Sequence, residues 1–221
     1  MSVIGIIGGT GKLGGALAGR WARAGHQVLV GSRSAETAAA YAHELSRRIG
    51  HPVEGCSNLD AACRAEIIAS AVPFAAQAER LGEIKDAVQG KIVIETAVPL
   101  VPPRVMRVQL PPEGSAAQCA PAILGEGVRV VSAFHNVAAD KLAEDGPVAC
   151  DVLVFSDDKA ARALVVGLVA DAGLRGLEGG ALANSAAAEA MTSVLIFINK
   201  TYRVPGAGIA ITGNLIQPPP A

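Results

Sequence analysis

The sequence predicts an α/β fold: a doubly wound parallel sheet, followed by a small C-terminal α/β domain that ends in a long buried helix. Three observations carry that expectation. Short apolar runs of strand length recur from Val3 to Ala133. Helical patterns separate them, as crossover connections between parallel strands require. A glycine cluster stands directly between the first apolar run and the first helical pattern.

Val3 to Ile7 is apolar throughout, as suits a strand covered on both faces. Gly8, Gly9, Gly11 and Gly14 follow it, then a helical pattern from Ala16 to Ala24 and a second strand at Gln27 to Val30. The glycines fit two registers, Gly9-x-Gly11-x-x-Gly14 and Gly8-x-x-Gly11-x-x-Gly14. In either, the first glycine permits a tight turn, Gly11 lets a pyrophosphate approach the backbone, and Gly14 allows close helix-on-strand packing. Strand, glycine turn, helix and strand in that order form the Rossmann context for a dinucleotide, with phosphates resting on free amides at the helix N-terminus. The second strand runs into Gly31-Ser32-Arg33, without the acid that would accept a ribose 2′-hydroxyl. Arg33 and the Ser32 hydroxyl suit a 2′-phosphate instead, so the expected dinucleotide is NADP(H).

The remaining elements follow in order. Ser34 caps a helix to Arg48, with Glu36 in its first turn and Arg47-Arg48 in its last. Pro52 to Gly55 reads as a short strand, Asn58 to Cys63 as a short helix, and Ile67 to Val72 as a strand stopped by Pro73. Open α/β sheets bind ligands beyond the carboxyl ends of their strands, so Val72 and Pro73 are expected beside a nicotinamide ring. Lys91 to Glu95 is the next strand. The loop after it, Thr96-Ala97-Val98-Pro99-Leu100-Val101-Pro102-Pro103, is too rich in proline to be a helix and should overhang the same crevice. Ser115 caps a helix to Leu124, and Val128 to Ala133 is a sixth strand that ends in Phe134-His135-Asn136. The first domain is expected over residues 1–139 and the second over 140–215, with a disordered tail at 216–221. In the second part, Cys150 to Phe155 is a strand, Asp158 to Ala172 a helix, Leu174 to Leu177 a short strand, and Asn184 to Tyr202 a helix apolar all round. A helix of that kind is expected to be buried, within the subunit or against a partner.

Composition narrows the classes of function. The chain has 221 residues, 51% hydrophobic and only 3% aromatic. Its net charge of −1 gives no electrostatic basis for binding nucleic acid or an anionic membrane. No continuous apolar run reaches the roughly 18 residues of a membrane span. The N-terminus enters a strand at once, so no signal peptide is expected. Cys56, Cys63, Cys119 and Cys150 show no Cys-x-x-Cys spacing and read as free thiols in a reducing cytoplasm. No cluster of ligands has metal spacing, and no Gly-x-Ser-x-Gly elbow is present.

His135, at the carboxyl end of a core strand, is the candidate catalytic residue: it could hydrogen-bond a carbonyl or heterocycle, or relay a proton. Its alternative role is structural. Asn184, Ser185 and Glu189 open the long helix and could reach the crevice or cap the helix. A reductase of keto acids wants a Lys or Tyr proton donor, and Lys141 and Lys200 lie in no recognisable motif. Hydride transfer between two redox heterocycles needs only two ring faces held in contact.

Several stretches together resemble the NADPH-dependent coenzyme F420 reductases. They are Gly8-Gly9-Thr10-Gly11-x-Leu13-Gly14, Gly31-Ser32-Arg33, Ser115-Ala116-Ala117 and Val130-Val131-Ser132-Ala133-Phe134-His135-Asn136. Leu182-x-Asn184-Ser185 with Glu189, and Ala207-Gly208-Ile209-x-Ile211-Thr212-Gly213, complete the pattern over residues 3 to 215. The resemblance implies a homodimer and reversible hydride transfer between NADP(H) and an 8-hydroxy-5-deazaflavin. It implies that Thr10, Gly11, Lys12, Leu13, Ser32 and Arg33 hold NADP, with Val72, Pro73 and Ala97 along the cofactor. Val98, Pro99, His135 and Asn136 would border the deazaflavin. One departure stands out. Where relatives carry further basic residues, this chain has Ser34, Ala35, Glu36 and Ala210. Two other readings remain open: an NADPH-dependent reductase of a flavin, pterin, imine or small hydroxy acid, and a non-catalytic NADP sensor or assembly protein.

Overall fold

A computed structural model describes residues 1–215. The expected tail at 216–221 lies outside the described residues. Strand β1 (Val3–Ile7) leads through the glycine turn into α1 (Lys12–Arg23), and β2 (Gln27–Ser32) follows. Then come α2 (Ala35–Ile49), β3 (Glu54–Ser57), α3 (Asn58–Arg64) and β4 (Ile67–Ser70). Helix α4 (Phe74–Ile84), β5 (Ile92–Glu95), α5 (Ala116–Leu124) and β6 (Arg129–Ser132) complete the first part. The chain continues with α6 (Ala139–Ala143), β7 (Asp151–Phe155), α7 (Lys159–Asp171), β8 (Arg175–Gly180) and α8 (Ser185–Tyr202).

The strands form one sheet in the order β3-β2-β1-β4-β5-β6-β7-β8. Every neighbouring pair is parallel except β6 with β7. The order reverses between β1 and β4, so the carboxyl ends of β1, β2 and β4 open a crevice at the switch point. Two apolar cores flank the sheet. One includes Ile4, Ile6, Leu17 and Trp21 under α1 and α7, the other Ile68, Leu81, Val93 and Leu124 under α4 and α5.

Local chemistry sets half of the α-helix starts among the described residues. Ser34, Ser57, Ser115 and Asp158 each accept a hydrogen bond from the backbone amide three residues on, capping α2, α3, α5 and α7. Gly50, with φ +72°, closes α2 in the left-handed conformation that glycine adopts without strain.

The structure corrects several expected bounds. The third strand begins at Glu54 rather than Pro52; proline has no amide for a ladder. The fourth strand ends at Ser70, so Ala71 to Pro73 leave the sheet as a wall of the crevice. Helix α4 starts directly behind Pro73, where a proline costs the helix no hydrogen bond; the stop to the strand is also the start of a crossover helix. The eighth strand runs to Gly180, past the expected end at Leu177.

The second part of the chain extends the first sheet instead of building one apart. Its junction with the first part is tied by one side chain. The Arg20 guanidinium on α1 donates to the carbonyls of Leu142 (2.9 Å), Glu144 (2.7 Å) and Gly146 (2.9 Å), beyond and within α6. Nearby, Trp21 donates from Nε1 to the Leu168 carbonyl at 2.8 Å and meets Phe134 edge-to-face.

Helix α8, expected to be buried within the subunit or against a partner, is only partly buried within the subunit. Ala188, Glu189, Ser193 and Leu195 face inward, while Met191, Val194 and Phe197 are exposed. By length and mean hydropathy (1.2) alone Leu182–Tyr202 could cross a bilayer, a test that the core helix of a soluble protein also passes; no unbroken apolar run within it reaches that length. Its inner edge is polar and engaged: Asn136 Nδ2 donates to the Ala188 carbonyl at 2.7 Å, and Glu189 caps α5.

Replacing Arg20 with Met should lower the unfolding free energy by about 1.5–3 kcal/mol, the range for hydrogen bonds made by a charged group. Hydrogen exchange should accelerate selectively over residues 142–146; uniform acceleration would show that the guanidinium does not act locally.

Candidate functional site

A cleft of about 420 Å³ opens at the switch point, and Gly8, Thr10, Gly11, Ser32, Arg33, Val72 and Pro73 line it. Seven residues chosen from sequence thus meet in one place. The cleft continues past Ser32 and Arg33 into a lobe of about 390 Å³ beside Ser57, Asn58 and Leu59.

The glycine turn has one register in the structure. Gly8 takes φ +73°, so the tight turn falls to Gly8 rather than Gly9. A Cβ on Gly14 would lie 2.7 Å from the Gly8 carbonyl oxygen and 2.8 Å from Gly9 Cα, both backbone atoms with no room to yield. That contact sets the start of α1 directly on the turn. Helix α1 has Gly11 at its N-cap and no side-chain cap, unlike α2, α3, α5 and α7. Its first amides are therefore open to an anion.

Other predicted residues play different parts. The Gly9 amide donates to the Gly31 carbonyl at 2.9 Å, pinning the turn to the end of β2. The Lys12 ammonium reaches Asp140 at 3.0 Å in an exposed ion pair, and Leu13 packs against the core. Ala97 and Pro99 are buried and Val98 half-buried.

His135 and Asn136 are buried as well. His135 Nε2 lies 3.0 Å from Ser132 Oγ, and burial pushes the imidazole down to about 4, opposed only in part by a hydrogen bond with the Glu95 backbone. The ring is neutral around pH 7. The Thr192 hydroxyl donates to the His135 carbonyl at 2.9 Å, so α8 grips this segment through both residues. Phe134, at φ +67°, makes the left-handed bend that turns its ring onto Trp21 while His135 faces Ser132. The motif at the end of β6 therefore builds the joint between sheet and α8.

Sequence reasoning missed Asn58, Arg80 and a buried polar cluster. Asn58 Oδ1 accepts from the Gly8 amide at 3.3 Å, supporting the turn from α3. Arg80, on α4, lines both the cleft and its lobe. No local signal marks either; they enter through the crossover geometry. The cluster lies across the carboxyl ends of β4, β5 and β6, where Ser70, Glu95 and Ser132 are in register and buried. Glu95 Oε1 accepts from the Ala97 amide at 2.9 Å, while Oε2 has no partner among the described residues. Glu189 accepts from the amides of Ala116 (2.6 Å) and Ala117 (3.0 Å), standing at the positive end of α5. Glu189 thus caps a neighbouring helix rather than entering the cleft. Burial pushes both carboxyls up to about 7, and for Glu189 the nearby Glu95 charge adds to the rise.

This pattern fixes a pH dependence. An unfolded Glu titrates near 4.3, so between there and the folded value of about 7 the native state holds the Glu95 proton more tightly. The stability that this difference contributes is full at the acid end of that window and is lost as pH rises through it. Relative to Glu95→Gln, wild type should lose on the order of 2–3 kcal/mol of unfolding free energy between pH 5 and 8. Denaturant titrations of both proteins would show parallel pH profiles if the carboxyl were ionised throughout.

A switch-point cleft, a glycine turn under an uncapped helix and a Ser-Arg strand end define a dinucleotide-binding α/β protein of the Rossmann class. A family model described as "NADP oxidoreductase coenzyme F420-dependent" matches residues 3–99. The F420-dependent NADP reductase of Methanothermobacter thermautotrophicus is 41% identical over 218 residues, 95% of this chain and 94% of that protein. The F420-dependent NADP reductase of Methanocaldococcus jannaschii is 36% identical over 219 residues, 95% and 97% of the two chains. Among solved structures, a putative F420-dependent NADP reductase from Arthrobacter sp. FB24 shares the fold with a TM-score of 0.83 at 24% identity, covering 95% of this chain and 99% of that one. The chain belongs to the F420-dependent NADP reductase family.

Proposed function

We propose that the protein transfers a hydride between NADP(H) and the deazaflavin coenzyme F420. The observation that carries this reading is the union of the glycine turn, Ser32, Arg33 and the Val72-Pro73 wall in one cleft, in a chain whose relatives are F420-dependent NADP reductases along almost their whole length. The residues fit the nucleotide: the cradle at Gly8 and Gly14 leaves no space for a Cβ, and the first turn of α1 offers uncapped amides.

In this reading the amides after Gly11 hold the pyrophosphate, while Ser32 and Arg33 take the 2′-phosphate. Pro73, without an amide of its own, forms a stiff wall beside the nicotinamide. When bound, the nicotinamide supplies or receives the hydride; in the direction of deazaflavin reduction one further proton comes from solvent. Val98 and Pro99 border the second ring. Glu95 shapes that loop by holding the Ala97 amide. His135 is a positioning residue: a neutral, buried imidazole is a poor acid, and the reaction between two heterocycles does not require one. Reduction of an imine or keto acid would require such a donor.

The exposed Met191, Val194 and Phe197 of α8 fit a second copy of this chain, which would complete a homodimer. Phe197→Glu should then halve the mass measured by light scattering.

Mixing enzyme, NADPH and F420 in a stopped-flow instrument should bleach the deazaflavin absorbance as one NADPH is consumed per F420, with free flavins as controls. No bleaching, with NADPH still bound, would refute the choice of acceptor. Arg33→Ala should weaken NADPH binding by about 1–3 kcal/mol and leave NADH binding unchanged, because one charge-assisted phosphate contact is lost. Equal weakening of both nucleotides would remove Arg33 from the 2′-phosphate.

A further inference from the structure

The loop after β2 supplies one cation, Arg33, and then Ser34, Ala35 and Glu36. A 2′-phosphate carries up to two negative charges, and Lys12, the cation of the glycine turn, does not line the cleft and points toward Asp140. The second cation in the cleft comes from a different element. Arg80 projects from α4, is only 15% exposed, and shares with Ser32 and Arg33 the lining of both the main cleft and its lobe.

Arg80 is held by two carboxylates of its own helix. Its Nη2 donates to Glu79 at 2.8 Å and its Nη1 to Glu83. Both acids are far more exposed than the arginine, at 67% and 44%. Ion pairs with such solvated partners contribute little to stability, so exchanging them for another anion costs little. The guanidinium fork suits a phosphate at least as well as it suits carboxylates from two residues.

We propose that Arg80 is a second 2′-phosphate ligand and a determinant of specificity for NADP(H) over NAD(H), with Glu79 and Glu83 holding its guanidinium until the nucleotide displaces them. The inference rests on the NADP reading of the cleft. It reassigns to a crossover helix the positive charge that the loop after β2 does not provide.

The test is calorimetric binding of two fragments, 2′,5′-ADP and 5′-AMP, which differ only in the 2′-phosphate. Wild type should prefer 2′,5′-ADP strongly. Arg80→Gln should weaken 2′,5′-ADP at least tenfold and change 5′-AMP less than twofold. Glu83→Gln should tighten 2′,5′-ADP severalfold by freeing the guanidinium; because Glu83 also lines the lobe, the gain should vanish when Arg80→Gln is present as well, whereas simple loss of a nearby negative charge would persist. If Arg80→Gln weakens both fragments alike or neither, or if Glu83→Gln leaves 2′,5′-ADP binding unchanged, the assignment is overturned. If wild type itself fails to distinguish the fragments, the NADP reading falls; if Arg33→Ala abolishes the preference and Arg80→Gln does not, only the role of Arg80 falls.

Discussion

The contact between the first turn of α1 and the turn after β1 is the constraint on which the rest depends. Gly14 has the Gly8 carbonyl and the Gly9 backbone where a side chain would begin. Because nothing separates helix from turn, the uncapped amides of α1 face the switch-point crevice instead of solvent above it. The same closeness fixes where α1 crosses the sheet, and so where Arg20 meets the carbonyls of residues 142–146 and Trp21 meets Leu168 and Phe134. The attachment of the second part of the chain is therefore set by the element that opens the cleft. A single continuous sheet follows, with β7 turned antiparallel to β6 where the connection through α6 brings it back.

What was legible in the sequence is what depends on neighbours in the chain. The glycine turn, the absence of an acid after β2 and the serine caps of α2 and α5 are all decided within a few residues, and the structure has them in place. Helix α4 was illegible for a related reason. Pro73 both stops a strand and permits a helix to start, and the local signal reads first as a stop. Asn58 and Arg80 carry no local mark at all. Their position in the cleft exists only once α3 and α4 are packed beside the carboxyl ends of β1, β2 and β4.

His135 shows that a place at the end of a strand does not by itself put a side chain into the cleft. Ligands of open α/β sheets bind beyond such ends, but the pleat decides which side the chain leaves on. Ser132 is in register with Glu95 and Ser70, and the side chains of that row are buried under α4 and α5. After the left-handed bend at Phe134, the His135 ring closes on Ser132 and joins the row. The resulting cluster, with Glu189 capping α5 from α8, is polar, and near neutral pH it carries less charge than exposed groups would, because burial disfavours ionised carboxyl and imidazolium groups alike.

Charge is instead concentrated at the far end of the cleft, where the proposed reading puts a nucleotide's 2′-phosphate. Arg33 comes from the loop after β2 and Arg80 from the crossover behind β4, so two independent segments must be folded before the site is complete. A phosphate bound between them would link α4 to β2, and β2 through the Gly9–Gly31 hydrogen bond to the glycine turn. Recognition of the adenosine end and shaping of the pyrophosphate cradle are then parts of one mechanical unit. A nucleotide lacking the 2′-phosphate could satisfy the cradle but would leave α4 held only by its own acids.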